Sequence, residues 1–267
     1  MEARLETLHI KVDDDQLAAT LLTPATLLPG ILFVHGWGGS RQQDLMRAQE
    51  MAGLGCVCLT FDLRGHAGTG RRQETVTREE NLHDLLAAYD KFVAEHVVDP
   101  SSIAVVGISY GGYLASILTE LRPVRWLALR APALYKDAGW DLPKRKLHQD
   151  PDFAAYRRCE LPADDNRALR ACAAYRGDVL IIESAHDDVV PRPAIASYVA
   201  AFSKAHSLTA RVIDDADHGL SDERWQRAYT SILVNWLTEM ITGARADAAA
   251  APGKKPTTPP KTAVEED

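Results

Sequence analysis

The sequence predicts an α/β fold, with a mostly parallel central sheet and helices on both faces. Short apolar runs rich in β-branched residues take turns with stretches of helical length, and such alternation requires crossover connections between parallel strands. One strand-to-helix junction reads Gly107-Ile108-Ser109-Tyr110-Gly111, a G-x-S-x-G pattern whose glycines suit a sharp elbow. The chain has 267 residues, 46% of them hydrophobic, which suffices for one core of moderate size.

The elements follow in order. Residues 4–12 and 16–23 alternate as antiparallel strands joined at Asp13-Asp14-Asp15. A strand at 31–35 precedes a helix near 41–53. A strand at 56–61 leads through a glycine-rich loop at 65–70 to a helix near 78–97. The apolar run Ser102-Ile103-Ala104-Val105-Val106, bounded by Asp99-Pro100, predicts a buried strand over 102–107, and Gly112 to Leu118 suit the packed helix after it. A strand at 124–130 follows. Residues 131–177 then interrupt the rhythm, being longer than one crossover helix needs. Strand 178–183, a helix near 192–205, strand 208–213 and a last helix near 221–242 complete the pattern. Residues 1–243 are therefore read as one domain. Residues 244–267 are mostly Ala, Pro, Thr, Lys and Glu with little to bury, and a disordered tail is expected.

A serine on a strand-to-helix turn has its hydroxyl exposed at the sheet edge, and it needs a base and an orienting carboxylate to become a nucleophile. In a G-x-S-x-G architecture these follow in the order Ser, Asp or Glu, His. Strand 178–183 runs into Ser184-Ala185-His186-Asp187-Asp188, and strand 208–213 into Asp214-Asp215-Ala216-Asp217-His218-Gly219. Ser109, Asp187 and His218 thus each stand just past a predicted strand. Asp188 is the alternative to Asp187, and either carboxylate also suits the cap of the helix beginning near Pro191. The other histidines lack the position of His218.

Four segments together resemble the α/β-hydrolase superfamily, and more narrowly its serine esterase, lipase and peptidase-like members. They are His35-Gly36-Trp37-Gly38-Gly39 after Ile31-Leu32-Phe33-Val34, Asp62-Leu63-Arg64-Gly65-His66, the elbow, and Asp187 to Pro191 with Asp217-His218-Gly219. The resemblance spans residues 5–242 and implies the α/β-hydrolase fold, with 131–177 as a short cap insertion. The family's D-x-x-V-P frame selects Asp187, because Val190-Pro191 follows it at the right offset. An oxyanion hole needs two amide donors. One is expected from Tyr110, at a helix N-terminus; the resemblance supplies Trp37 as the other, with Gly36 letting its loop bend close to the substrate.

The chemistry so implied is acyl transfer to Ser109, with His218 as base and Asp187 holding it, and it needs no cofactor. Carboxylic esters are the expected substrates. Peptidase, amidase or thioesterase activity with the same triad is the alternative, and a ligand-binding member of the fold with little turnover is another. Arg130, ending a strand near the site, is a candidate contact for a substrate carboxylate, with a structural ion pair as the competing role. Trp140 is a candidate wall of the substrate entrance, together with Lys144-Arg145-Lys146, Phe153, Tyr156 and Arg157-Arg158. Nine basic against seven acidic residues between Lys136 and Arg176 are too slight an excess to imply an anionic substrate.

Composition excludes other classes. A net charge of −7 gives no basic footprint for nucleic acid. No apolar run is long enough for a membrane span, and no metal-ligand spacing is present. The first residues lack the apolar stretch of a signal peptide, and the four cysteines are scattered, so a cytoplasmic setting is the expectation.

Overall fold

The computed structural model describes residues 3–12, 15–24 and 27–250. β1 (Ala3–Val12) and β2 (Asp15–Pro24) pair antiparallel as a two-stranded sheet. The six strands that follow are β3 (Leu28–Val34), β4 (Val57–Thr60), β5 (Val98–Ile108), β6 (Trp126–Arg130), β7 (Asp178–Ser184) and β8 (Ser207–Ile213). They form one sheet in the order β4-β3-β5-β6-β7-β8, with every neighbouring pair parallel.

Parallel strands buried on both faces need apolar side chains in both directions. The pairs Leu32/Phe33, Val105/Val106, Leu127/Ala128 and Val179/Leu180 each send one side chain to either face. One face packs against α1 (Leu45–Gly53) and, at the other end of the chain, α7 (Glu223–Ala250). The opposite face packs against α2 (Arg78–Val93), α3 (Tyr110–Leu121), α5 (Arg167–Ala174) and α6 (Arg192–Ala201). The short α4 (Phe153–Arg157) lies in the segment between β6 and β7.

Several boundaries differ from the sequence reading. β5 begins at Val98 and not after Pro100. The register against β3 jumps from Pro29↔Asp99 to Gly30↔Ile103, so the proline, which has no N–H to donate, falls in a bulge. α2 stops at Val93 and α6 at Ala201, each short of the expected end. The expected tail overlaps α7, which continues to Ala250; residues 251–267 lie outside the described residues.

Within 131–177, only α5 packs as a crossover helix, against α3. The residues before it form a lobe that is tied down at several points. Buried Arg78 donates to the carbonyls of Lys136 and Ala138 and to the Tyr113 hydroxyl. Thr77 bridges Pro143, and the amide of Lys144 donates to the Val76 carbonyl at 2.8 Å. Tyr198 Oη donates to the Ala133 carbonyl at 2.8 Å.

The elbow depends on glycine. A Cβ on Gly107 would sit 2.6 Å from the Cα of Gly112, and one on Gly111 would overlap the carbonyl oxygens of Val34 and His35. Those neighbours are backbone and cannot rotate away. Gly111→Ala is therefore expected to destabilise the fold by about 1–3 kcal/mol through overpacking, read as a lower midpoint in urea at constant m. An unchanged midpoint would mean that α3 has more freedom against β3 than this packing allows.

Candidate active site

Consecutive strands β3, β4 and β5 do not run in spatial order. β4 lies on one side of β3 and β5 on the other. At such a reversal, the loops leaving the two central strands diverge and open a crevice beyond their C-terminal ends. Gly36-Trp37 leaves β3 at that point, and Ser109 leaves β5. A Cβ on Gly36 would lie 3.3 Å from the Cβ of Ser109, so the two loops touch.

Ser109 has φ 52° and ψ −114°, a backbone conformation that an L-residue adopts at a cost of about 1–3 kcal/mol. Three backbone hydrogen bonds hold it there. The Ser109 amide donates to the Arg130 carbonyl at 2.9 Å, and the Ser109 carbonyl accepts from Ala133 at 2.9 Å and Tyr113 at 3.1 Å. The result is a serine projecting at the N-terminus of α3, half-exposed above a buried elbow.

His218 reaches it from the loop after β8. Its Nε2 lies 3.1 Å from Ser109 Oγ, and its Nδ1 lies 2.7 Å from Asp187 Oδ2. A carboxylate only accepts, so Nδ1 carries the hydrogen, and Nε2 is left to accept from the serine hydroxyl. The other oxygen of Asp187, Oδ1, accepts from the amides of Val189 at 2.9 Å and Val190 at 2.7 Å. Burial pushes the Asp187 carboxyl up, but the His218 hydrogen bond and the Val190 and Val189 amides outweigh it and hold it below the usual carboxylate range. Asp188 is exposed and points elsewhere, so between the two neighbours the histidine meets Asp187.

The remaining expected site residues divide. Tyr110 is the first residue of α3, and Trp37 is half-buried with its ring 5.7 Å from that of Tyr110. The Trp37 loop is held from below by His35, whose Nδ1 donates to the Gly36 carbonyl at 2.8 Å and whose Nε2 accepts from the Leu63 amide at 3.0 Å. Arg130, a candidate either for a substrate carboxylate or for a structural role, lies behind the histidine. It is 4% exposed and donates to the carbonyl of His218 and, at 3.4 Å, to Ser184 Oγ. Its place in β6, buried by α7, turns it into a support for the His218 loop. Trp140 stacks on Tyr113 at 6.2 Å and lies under the guanidinium groups of Arg78 and Arg167, at 4.9 and 5.3 Å. Its contacts place it over α3, separated from Trp37 by the rings of Tyr110 and Tyr113.

Two residues of the lobe that sequence reading grouped with their exposed neighbours are buried here. Lys144 is 2% exposed and Arg157 7%. No cluster of His, Cys, Asp and Glu suited to a metal occurs among the described residues, and none of their helices is long and apolar enough to cross a membrane.

Comparison with known proteins fits this arrangement. A profile of the prolyl oligopeptidase family matches residues 42–244. The chain is 30% identical over 176 residues to an uncharacterised protein of Mycobacterium tuberculosis, covering 65% of this chain and 57% of that protein. It is 25% identical over 203 residues to a probable dipeptidyl-aminopeptidase B of Sordaria macrospora, covering 72% of this chain but 21% of that one. The chain thus spans little more than half the length of the first of these curated relatives and a fifth of the second. Among solved structures, Est1E from Butyrivibrio proteoclasticus, determined with ferulic acid bound, superposes with a TM-score of 0.61 at 17% identity, covering 90% of this chain and 96% of that one. The architecture is that of the α/β-hydrolases.

Proposed function

We propose, from the premise that this chain belongs to the prolyl oligopeptidase family, that it is a serine hydrolase cleaving carboxylic esters through an acyl-enzyme. The observation that carries the reading is the chain of contacts from Ser109 Oγ through His218 to Asp187, at 3.1 and 2.7 Å. His218 Nε2 takes the hydroxyl proton as Ser109 Oγ attacks the ester carbonyl. The developing oxyanion is received by the amides of Trp37 and Tyr110, the latter aided by the dipole of α3. As the tetrahedral intermediate collapses, the C–O bond breaks and His218 returns the proton to the departing alcohol. Water then attacks the acyl group, His218 again takes a proton, and the acid leaves with Ser109 restored. Asp187 keeps the imidazole in the required tautomer and stabilises its cation.

Esters are preferred over amides because an alkoxide or phenolate leaves more readily than an amine, so this machinery suffices without further leaving-group assistance. A peptidase is the second reading. The family itself and the dipeptidyl-aminopeptidase relative favour it.

The test is hydrolysis of p-nitrophenyl esters from acetate to palmitate beside aminoacyl and dipeptidyl p-nitroanilides, with labelling by a fluorophosphonate. Ester turnover and a labelled Ser109 peptide are expected. Faster cleavage of the anilides would favour the peptidase, and a Ser109 that never labels would remove the serine hydrolase altogether.

A further inference from the structure

The charged residues of the lobe are of two kinds. Arg145, Lys146 and Arg158 are exposed, as a solvated face requires, whereas Lys144 and Arg157 point inward. The amide of Lys144 is anchored to Val76, and from that anchor its ammonium reaches into a box of rings. Nζ lies 4.3 Å from the centroid of Trp37, 5.0 Å from Tyr110 and 5.4 Å from Tyr135. Tyr110 follows Ser109 in the chain, and the Trp37 loop meets Ser109 through Gly36. Arg157 lies over Phe153 at 5.1 Å, and Phe153 stacks on Tyr135 at 5.6 Å, so the two cations approach Tyr135 from different elements.

Neither cation makes an ion pair with a carboxylate among the described residues, although the charge of Asp187 acts on Arg157 from a greater distance. Arg157 Nε and Nη2 are buried with no hydrogen bond at all. Fully buried Lys and Arg side chains are almost always paired, because an isolated charge in a low-dielectric site is costly. Aromatic faces recover part of that cost for Lys144. They do nothing for the open edge of Arg157. Burial, and then the neighbouring charges of Arg157 and Arg78, bring the Lys144 ammonium down to about 7. Two buried cations gathered on one cluster of rings, with a guanidinium edge that no protein group accepts from, make a site suited to an anion.

The geometry suits an oxyanion held through two of its oxygens, and for an ester substrate the simplest such group is a carboxylate. Nε and Nη2 are the side-on edge of a guanidinium, whose two parallel N–H bonds match the two oxygens of one carboxylate. Lys144 supplies a point charge from the direction of Trp37. We propose that Lys144 and Arg157 form a carboxylate-binding subsite beside Ser109, so that the substrate is an ester bearing a free carboxylate near the scissile carbonyl. The proposal rests on the serine hydrolase reading and adds a substrate class to it. It also removes Arg130 from that role, since Arg130 is committed to the backbone of His218.

The experiment compares p-nitrophenyl hydrogen succinate with p-nitrophenyl butyrate, which matches it in chain length without the charge. Wild type is assayed beside Lys144→Met and Arg157→Met, and all three are also labelled with a fluorophosphonate. Loss of each cation is expected to lower kcat/KM for the anionic ester about 10- to 100-fold, the range for a charge-assisted hydrogen bond, and to leave the neutral ester within a few-fold. Arg157→Lys, which keeps the charge and loses the fork, is expected to fall between. Equal losses on both esters, or a wild type that prefers butyrate, would overturn the subsite while a labelled Ser109 left the hydrolase reading standing. If no ester turns over, calorimetric titration of Ser109→Ala with glutarate decides the matter. Binding that disappears with Lys144→Met supports the subsite independently of activity, and no binding rejects it.

Discussion

Ser109→Ala is expected to lower kcat for any ester the protein hydrolyses by roughly a million-fold, leaving only the rate that substrate binding and the amide donors sustain without a nucleophile. Alanine removes a single oxygen, whose one side-chain hydrogen bond is to His218. It leaves the elbow as strained as before, because the unusual φ of 52° is set by backbone contacts that both residues experience. The variant should therefore melt within a degree or two of wild type while losing both activity and fluorophosphonate labelling. Residual turnover of a tenth or more, after exclusion of contaminating enzyme, would place the nucleophile elsewhere.

Asp187→Asn is expected to be nearly as severe, with a loss of about 10⁴-fold in kcat and little change in KM, and the reason lies in two amides. Val189 and Val190 both donate to Oδ1. In the asparagine variant they hold the carbonyl oxygen in that position, which turns the side-chain NH2 toward His218 Nδ1. A donor facing Nδ1 compels the ring to accept there and to carry its hydrogen on Nε2, where it can no longer take the serine proton. Asp187→Ala leaves the tautomer free and removes a buried carboxylate. It should cost less activity than Asp187→Asn if tautomer control is the main role of the acid, and the reverse order would indicate that stabilising the imidazolium matters more.

The order of strands and the three residues at their ends were legible in the sequence because each rests on local signals: an apolar run, then a turn, then one reactive side chain. The choice of Asp187 over Asp188 rested on a family frame, and the physical reason became visible only in the fold. The turn back toward α6 points Asp187 inward against two amides and leaves Asp188 in solvent. For Arg130 the sequence left a substrate contact and a structural role open, because strand periodicity gives the face of a side chain and not what a later helix lays against that face. Lys144 and Arg157 were named only within charged pairs and triplets of the expected entrance, and their burial was not legible. In sequence each stands beside like charges, Arg145 and Lys146 or Arg158, and resembles a solvated stretch. What separates them is the path of the lobe, fixed by contacts to Val76, Arg78 and Tyr198 that lie far away along the chain.

The hydrogen-bonded pair at the centre of the site joins residues 109 positions apart in the chain, Ser109 after β5 and His218 after β8. During synthesis, at rates of about 5–20 residues per second, the serine leaves the ribosome roughly 5–20 s before its base exists. β3, β5 and β6 can already pair in that interval, so the elbow can form around a hydroxyl that no group deprotonates. On the proposed triad, the contact with Ser109 waits for β8, beyond whose C-terminal end His218 stands. On that reading, a chain that stops before β8 holds the serine without its base, and reactivity becomes a report on the completed sheet.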